Sequence, residues 1–362
     1  MNNKIALICS NLKVGGTQNV VVNASNILAK MNYNITVITF SDEDKDFYNL
    51  SDNVSRISLG IIKNSNNFFE SIYNNVFRII KLRSIIKKEK IDTCVSFITD
   101  TNVITAIALI FLKKRVILSE RNNPYISNEK IVWKLLKTIT YPLAKIITAN
   151  SEKGVAFYTN KRFIKKIAYL PNPLPEPQPD FNRTSQNFLS VGKLHKQKGH
   201  DILLQAFAKF LKLRESYSSI TLTIAGEGKD ETKLKKLTKE LGIEKNVTWL
   251  KNQNIYLLLK NHSFFVLASR YEGTSNAVIE AISMSTISIL SDEASSSIEF
   301  LQNNHNCIIF PSEDINSLCL SMQKLIEDSE LRLQLGNNLK DDYNNYYANL
   351  KIDEYWQRII DS

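Results

Sequence analysis

Two carboxylates, Glu272 and Glu280, share the stretch Ser269-Arg270-Tyr271-Glu272-Gly273-Thr274-Ser275-Asn276-Ala277-Val278-Ile279-Glu280-Ala281. A strand-like run over 264–268 leads into it, and Gly273 permits a sharp turn there. Thr274, Ser275 and Asn276 suit the N-cap of a helix that carries Glu280. One acid therefore lies on a loop beside a helix N-terminus and the other inside that helix. Free N–H groups at such a terminus can hold an anion or the hydroxyls of a sugar. Taken alone, the stretch also fits a capped helix with two solvated glutamates.

A second group is cationic. Val191-Gly192-Lys193-Leu194-His195-Lys196-Gln197-Lys198-Gly199 follows a strand-like run over 187–191 and precedes a helical one over 200–213. Lys193 and Lys198 there can neutralise a pyrophosphate, or the loop is a solvated lysine turn. Gly15-Gly16 occupies the matching place in the first half of the chain, where a Rossmann-type domain holds phosphate; an ordinary tight turn is the other reading. The pair is not G-x-G-x-x-G, so the dinucleotide fingerprint is absent. Ile224-Ala225-Gly226-Glu227-Gly228 ends another strand in a glycine turn.

The elements that must position these residues alternate. Strand patterns fall at 4–10, 34–40, 54–59, 92–98, 115–119 and 145–149, with helical spacing at 17–30, 68–90, 101–112 and 131–144. Pro171, Pro173, Pro175, Pro177 and Pro179 then break any helix or central strand and mark a linker. The alternation restarts, with strands at 187–191, 220–225, 246–250, 264–268, 286–290 and 307–310. Helices fall at 200–213, 231–241, 255–260, 275–284, 297–301, 315–327, 329–347 and 352–360. This is the rhythm of βαβ units: an α/β chain of two doubly wound, Rossmann-like domains facing a cleft, with ligands beyond the carboxyl ends of the strands. The expected boundaries are 1–168 for the first domain, 169–186 for the linker, 187–345 for the second domain, and 346–362 for a helix returning to the first.

Composition narrows the classes. The 362 residues are 43% hydrophobic, enough for two globular cores. The N-terminus reads as a first strand rather than a signal peptide, and the longest apolar run, 103–112, is about half a membrane span. A cytoplasmic protein is expected. Cys9, Cys94, Cys307 and Cys319 form neither a disulfide framework nor a metal spacing, and His195, His200, His262 and His305 form no zinc pattern. No metal is expected; Asp42-Glu43-Asp44-Lys45-Asp46 reads as a solvated acidic loop. The net charge of +10 asks for an acidic partner. With no nucleic-acid signature and no basic tail, a phosphorylated substrate or an anionic membrane remains.

The ordered set G-G, V-G-K-L-x3-K-G, I-A-G-E-G and E-G-x6-E, with Tyr169-Leu170-Pro171-Asn172-Pro173 at the linker, resembles the retaining glycosyltransferases of the GT-B fold, the large "glycosyl transferases group 1" family. The stretches Ser96 to Asn102 and Ser119 to Tyr125 resemble a narrower group that adds sugars, often N-acetylgalactosamine, to polyprenyl-diphosphate-linked glycans. The resemblance implies a metal-independent hexosyltransferase with a UDP-sugar donor, a lipid-linked or other surface-glycan acceptor, and no cofactor. Glu272 would contact the donor sugar, with Gly273, Thr274, Ser275 and Asn276 presenting backbone N–H groups beside it. Glu280 would bind the ribose hydroxyls. Lys193 and Lys198 would hold the diphosphate; Gly15, Gly16 and Gly226 would admit the donor closely, and Thr248 and Leu250 would flank the base.

Some positions depart from the family. Lys193 is more often Arg, so the bidentate fork is lost. Arg121 stands where many relatives carry His; with Asn122 it could meet phosphate or acceptor, or Arg121 could simply pair with Glu120. A nucleotide-sugar 2-epimerase of the same shape and a non-catalytic partner subunit are the competing readings; scarce histidine disfavours the first, and the intact lysines and Glu272 disfavour the second. A lipid-linked acceptor implies a peripheral place on the cytoplasmic face of the inner membrane. The basic segment 68–90 could meet anionic lipid at about 1 kcal/mol per cation, or be a domain-surface helix with its lysines outward.

Overall fold

The computed structural model describes all residues except 1–3, 14, 62–67, 123, 126–130, 180–185, 252, 273 and 297. The expected sugar-side Gly273 lies outside the described residues, as does part of the expected linker. The chain divides into two compact units, Met1–Pro173 with Lys351–Ser362, and Leu174–Leu350.

In the first unit the strands are β1 (Lys4–Cys9), β2 (Asn34–Thr39), β3 (Val54–Ser58), β4 (Thr93–Phe97), β5 (Arg115–Glu120), β6 (Ile146–Ala149) and β7 (Ile167–Tyr169). They form one parallel sheet in the order β3-β2-β1-β4-β5-β6-β7. Its helices are α1 (Gly16–Lys30), α2 (Phe68–Lys88), α3 (Thr99–Ala108), α4 (Ile131–Thr140) and α5 (Glu152–Thr159). A parallel sheet is covered on both faces, so its strands are apolar throughout. β1 shows how the alternation divides: Ile5, Leu7 and Cys9 enter the core that holds α1, while Ala6 and Ile8 enter the core that holds α2 and α3.

The last helix, α13 (Ile352–Asp361), belongs to this unit. Trp356, Ile359 and Ile360 are buried in the α1-side core, and Arg115 donates to the Ile360 and Asp361 carbonyls. Twelve residues from the chain's end thus complete a core begun at its start.

In the second unit β8 (Phe188–Val191), β9 (Leu222–Ala225), β10 (Val247–Leu250), β11 (Phe264–Leu267), β12 (Ile287–Ser291) and β13 (Ile308–Phe310) run parallel in the order β10-β9-β8-β11-β12-β13. The helices are α6 (His200–Leu211), α7 (Glu231–Glu240), α8 (Ile255–Lys260), α9 (Asn276–Ser283), α10 (Asp292–Ser295), α11 (Ile315–Glu327) and α12 (Ser329–Asn349). Phe188, Phe264 and Val266 pack with α6 and α11 on one face; Leu189, Phe265 and Leu267 pack with α9 on the other. In each sheet the strand order reverses beside the first strand, at β1/β4 and β8/β11, the positions where doubly wound sheets bind ligands.

Three local expectations need correcting. Of the helix expected at 297–301, residue 297 lies outside the described residues and 298–301 are not helical. Instead Ser291 caps the short α10, accepting from the Ala294 amide at 3.1 Å, and the chain after it turns on i→i+3 bonds at Ile298 and Leu301. Both side chains are buried, so packing rather than a helix places them. Strand β7 and helix α5, capped by Ser151, were not anticipated. The acidic loop is not wholly solvated: Asp46 is drawn into an ion pair with Arg56 at 2.9 Å.

Candidate active site

The carboxyl ends of β8, β9 and β11 are held together by close backbone approaches. β8 leaves through the lysine loop, which makes a short 3-10 turn at Lys196–Lys198 with His195 as its cap. Gly199 closes the loop at φ 64°, and a Cβ there would stand 1.8 Å from the Ala268 carbonyl oxygen. At the end of β9, a Cβ on Gly226 would stand 1.9 Å from the Gly192 carbonyl oxygen. Only glycine lets these loops nest.

The nesting brings the sequence's cation and acid into contact. Lys198 Nζ donates to Glu272 Oε1 at 2.5 Å, and Ser269 Oγ donates to the same oxygen at 2.6 Å. Both charged side chains are largely buried, at 17% and 7% exposure. A second set of bonds fixes this register. The Arg270 amide donates to the Gln197 carbonyl at 2.8 Å, and Gln197 Nε2 donates to the Tyr271 carbonyl at 3.1 Å. The Arg270 guanidinium grips Asp201 through both oxygens at 2.9 and 2.8 Å, donates to the Lys196 carbonyl at 2.6 Å and pairs with Glu313. Burial favours neutral Asp201, but the guanidinium prevails and holds its carboxyl below the usual range. Asp201, in turn, raises the pKa of Arg270. Reading the sequence alone does not single out Ser269, Gln197, Asp201 or Arg270; the one available signal is an arginine inside the loop and an aspartate in the first turn of α6.

Ser275 occupies the N-cap position of α9, as its type suggests, yet its side chain makes no capping bond. Its Oγ is buried without a hydrogen-bond partner. Thr274 and Asn276 flank it, half-buried, and Glu280 is buried one turn into the helix. Lys193 is exposed on the lysine loop. Leu250 accepts from the Gly226 amide at 2.9 Å, so the end of β10, including exposed Thr248, is tied to the same rim one strand further out. Beneath the lysine loop lies His200, 1% exposed, with the backbone of Gly192 and Lys193 beside its ring and no well-formed bond to either nitrogen. Burial, and then the Lys198 charge, push its pKa down to about 4, so the imidazole is neutral.

The remaining expected residues belong to the other unit. Gly15 is extended, at φ 169°, a conformation open to any residue; a Cβ there would meet only the flexible end of Gln18. Gly16 begins α1, which has no side-chain cap. Arg121 does not pair with Glu120. Its Nε donates to Ser119 Oγ at 2.9 Å, and one terminal nitrogen donates to the Leu170 carbonyl and Asn172 Oδ1, both at 2.9 Å. The other terminal nitrogen is buried without a partner. Burial lowers the pKa of Arg121 to about 9, which leaves it charged at neutral pH. Glu120 is sequestered by Thr99, Asn102, Tyr141 and Lys137. Asn122 is exposed.

Comparison with known proteins agrees with this architecture. Residues 14–176 match the family described as Glycosyltransferase Family 4, and residues 176–342 match Glycosyl transferases group 1. The chain is 27% identical to the GalNAc-alpha-(1->4)-GalNAc-alpha-(1->3)-diNAcBac-PP-undecaprenol alpha-1,4-N-acetyl-D-galactosaminyltransferase of Campylobacter jejuni, over 99% of this chain and 98% of that one. It is 28% identical to the N-acetylgalactosamine-N,N'-diacetylbacillosaminyl-diphospho-undecaprenol 4-alpha-N-acetylgalactosaminyltransferase of the same organism, over 93% and 94%. Among solved structures, sucrose-phosphate synthase from Thermosynechococcus elongatus superposes with a TM-score of 0.82 at 14% identity, covering 99% of this chain and 98% of that one. That likeness is one of fold, and the fold is GT-B.

Proposed function

Given that the chain belongs to the group 1 glycosyltransferases of the GT-B fold, we propose that it is a retaining, metal-independent enzyme that moves N-acetylgalactosamine, or another hexose or N-acetylhexosamine, from a UDP-sugar to a polyprenyl-diphosphate-linked glycan. It works at the cytoplasmic face of a membrane, and its donor site lies in the second unit. The observation that carries this reading is the Lys198–Glu272 pair beside the N-terminus of α9.

The chemistry follows from charge. Breaking the sugar–phosphate bond builds positive charge at the anomeric carbon and negative charge on the leaving diphosphate. Lys198, already largely buried, meets that negative charge, with Lys193 adding a second cation from the rim. Glu272 keeps Lys198 in place while the site is empty and turns to the sugar hydroxyls when the donor binds. The unpartnered Ser275 hydroxyl and the α9 terminus, with no side-chain cap, supply further donors for phosphate oxygens. Glu280 accepts from the ribose hydroxyls, and Thr248 and Leu250 border the base. Gly15 and Gly16 serve the donor phosphates and the acceptor, and Arg121 and Asn122 the acceptor or a phosphate. The full-length similarity to two transferases named for undecaprenol-linked glycans supports the acceptor class.

The test is UDP release from a panel of UDP-sugars, with and without short polyprenyl-diphosphate glycans. Release that requires the acceptor supports transfer and excludes epimerisation; release without it is hydrolysis and argues against transfer. Glu272→Ala should abolish transfer in a protein that still melts normally, and a near-normal rate would remove Glu272 from the mechanism. Lys198→Ala should weaken binding of every UDP-sugar; an effect confined to one sugar would mean that Lys198 reads the sugar rather than the phosphates.

A further inference from the structure

Two helices of the first unit turn large apolar side chains outward. α2 and α4 both pack against α3, whose side chains are almost all buried. The C-terminal part of α2 is ordinary: Leu82 and Ile86 are buried, and Lys81, Lys87 and Lys88 face solvent. Its N-terminal part is reversed. Phe69, Ile72, Tyr73, Val76, Phe77 and Ile80 are exposed at helical spacing, Phe69 at 81%, while the amide side chain of Asn74 is buried. α4 repeats the reversal in part: Trp133 and Leu136 pack against the core, but other apolar side chains face out. Ile131, Val132, Leu135 and Ile139 are exposed, the last at 68%, while Lys137 and Thr140 are buried. Lys137 is held inside by Glu120 at 3.5 Å and Tyr158 at 3.0 Å. The lysines of segment 68–90, Lys81, Lys87, Lys88 and Lys90, do all face outward as expected, but its N-terminal part, which has no lysine, turns apolar side chains outward as well.

So much apolar surface on one side of a unit marks an interaction face. Its surroundings say what it fits. Lys81 stands 5.6 Å from the Phe77 ring centre, Lys134 rises among the exposed residues of α4, and Lys87 and Lys88 continue the α2 ridge. Glu70 is the single acid on the two helices. Protein interfaces are depleted in lysine at their centres. Apolar ridges edged with lysine and tyrosine are the pattern of helices lying in a lipid headgroup layer.

We propose that the outward faces of α2 and α4 dock this unit onto an anionic bilayer. The apolar side chains enter the headgroup–acyl boundary, and Lys81, Lys87, Lys88 and Lys134 meet lipid phosphates. This deepens the proposed function by naming the surface that would meet the membrane holding a lipid-linked acceptor. The test needs neither donor nor acceptor, so its outcome is separate from that of the UDP-release assay.

Flotation of the full chain with vesicles of phosphatidylglycerol and phosphatidylethanolamine should show binding that weakens as salt rises, and much weaker binding to phosphatidylcholine alone. The triple variant Phe69→Gln/Tyr73→Gln/Ile80→Gln and the double variant Leu135→Gln/Ile139→Gln change only exposed side chains. Each should keep the wild-type melting temperature and lose binding by at least about tenfold. Lys81→Gln/Lys134→Gln should lose binding only to the anionic vesicles. Wild-type binding by both apolar variants would overturn the proposal. So would a wild-type protein that sediments as a dimer and becomes monomeric in those variants with vesicle binding unchanged, since the face would then belong to a second copy.

Discussion

Arg270 offers the sharpest test of how the proposed donor site is built. It touches neither Lys198 nor Glu272, yet it ties the segment carrying Glu272 to the first turn of α6. Two charge-assisted contacts to Asp201 do this, and two more, to the Lys196 carbonyl in the lysine loop and to Glu313 ahead of α11, add to the grip. A bond to a charged group is worth about 1.5–3 kcal/mol when well shielded. Glu313 is mostly exposed and contributes little, and Asp201 is one-third exposed, so its share is discounted. About 2 kcal/mol of stability is then expected to go in Arg270→Ala, because Asp201 and the Lys196 carbonyl can regain water. The larger effect is geometric. Losing the grip frees the 270–272 segment to shift against Lys198, and a displacement near 1 Å costs about 100-fold in rate. The expected outcome, followed by UDP release, is a kcat lower by about 30- to 100-fold with a smaller change in KM for the donor. Arg270→Lys should recover part of the loss, since a single ammonium can still reach Asp201 but cannot bind it bidentately. In a double-mutant cycle, Asp201→Asn with Arg270→Ala should cost little more than Arg270→Ala alone. A folded Arg270→Ala enzyme with unchanged kcat, or strict additivity in the cycle, would refute the positioning role.

Two further predictions concern stability. His200 is neutral with a pKa of about 4 in the fold, against 6.5 when unfolded. The unfolded chain therefore takes up the proton first as pH falls, and stability should drop from about pH 6.5 down to pH 4 by up to about 3 kcal/mol, with no His200 contribution above pH 7. Urea midpoints across that range should show the slope, and His200→Asn should flatten it. Trp356 is fully buried in the first unit's core although it lies near the chain's end. Trp356→Ala should cost about 3–5 kcal/mol and lower the melting temperature of that unit, whereas Leu333→Ala, at an exposed position of α12, should change it by less than about 0.5 kcal/mol.

The sequence by itself determined the repeating strand–helix order, because continuous apolar runs and helical spacing are local signals. It also marked the proline break and the residue types of the proposed donor site: lysines on one loop, glutamate on another, glycines between them. It misjudged what depends on partners far along the chain. Where a helix was expected, 298–301 form a turn, because Ile298 and Leu301 are buried by neighbouring elements without one. Arg121 could not be assigned locally, since Leu170 and Asn172, which hold it, arrive some fifty residues later through β7. The inverted faces of α2 and α4 are invisible to periodicity, which reports an apolar stripe but not the side it faces. Only the tertiary structure brought Lys198 to Glu272, because that contact rests on the β8/β11 neighbourhood and on loops that can approach only where Gly199 and Gly226 lack a Cβ.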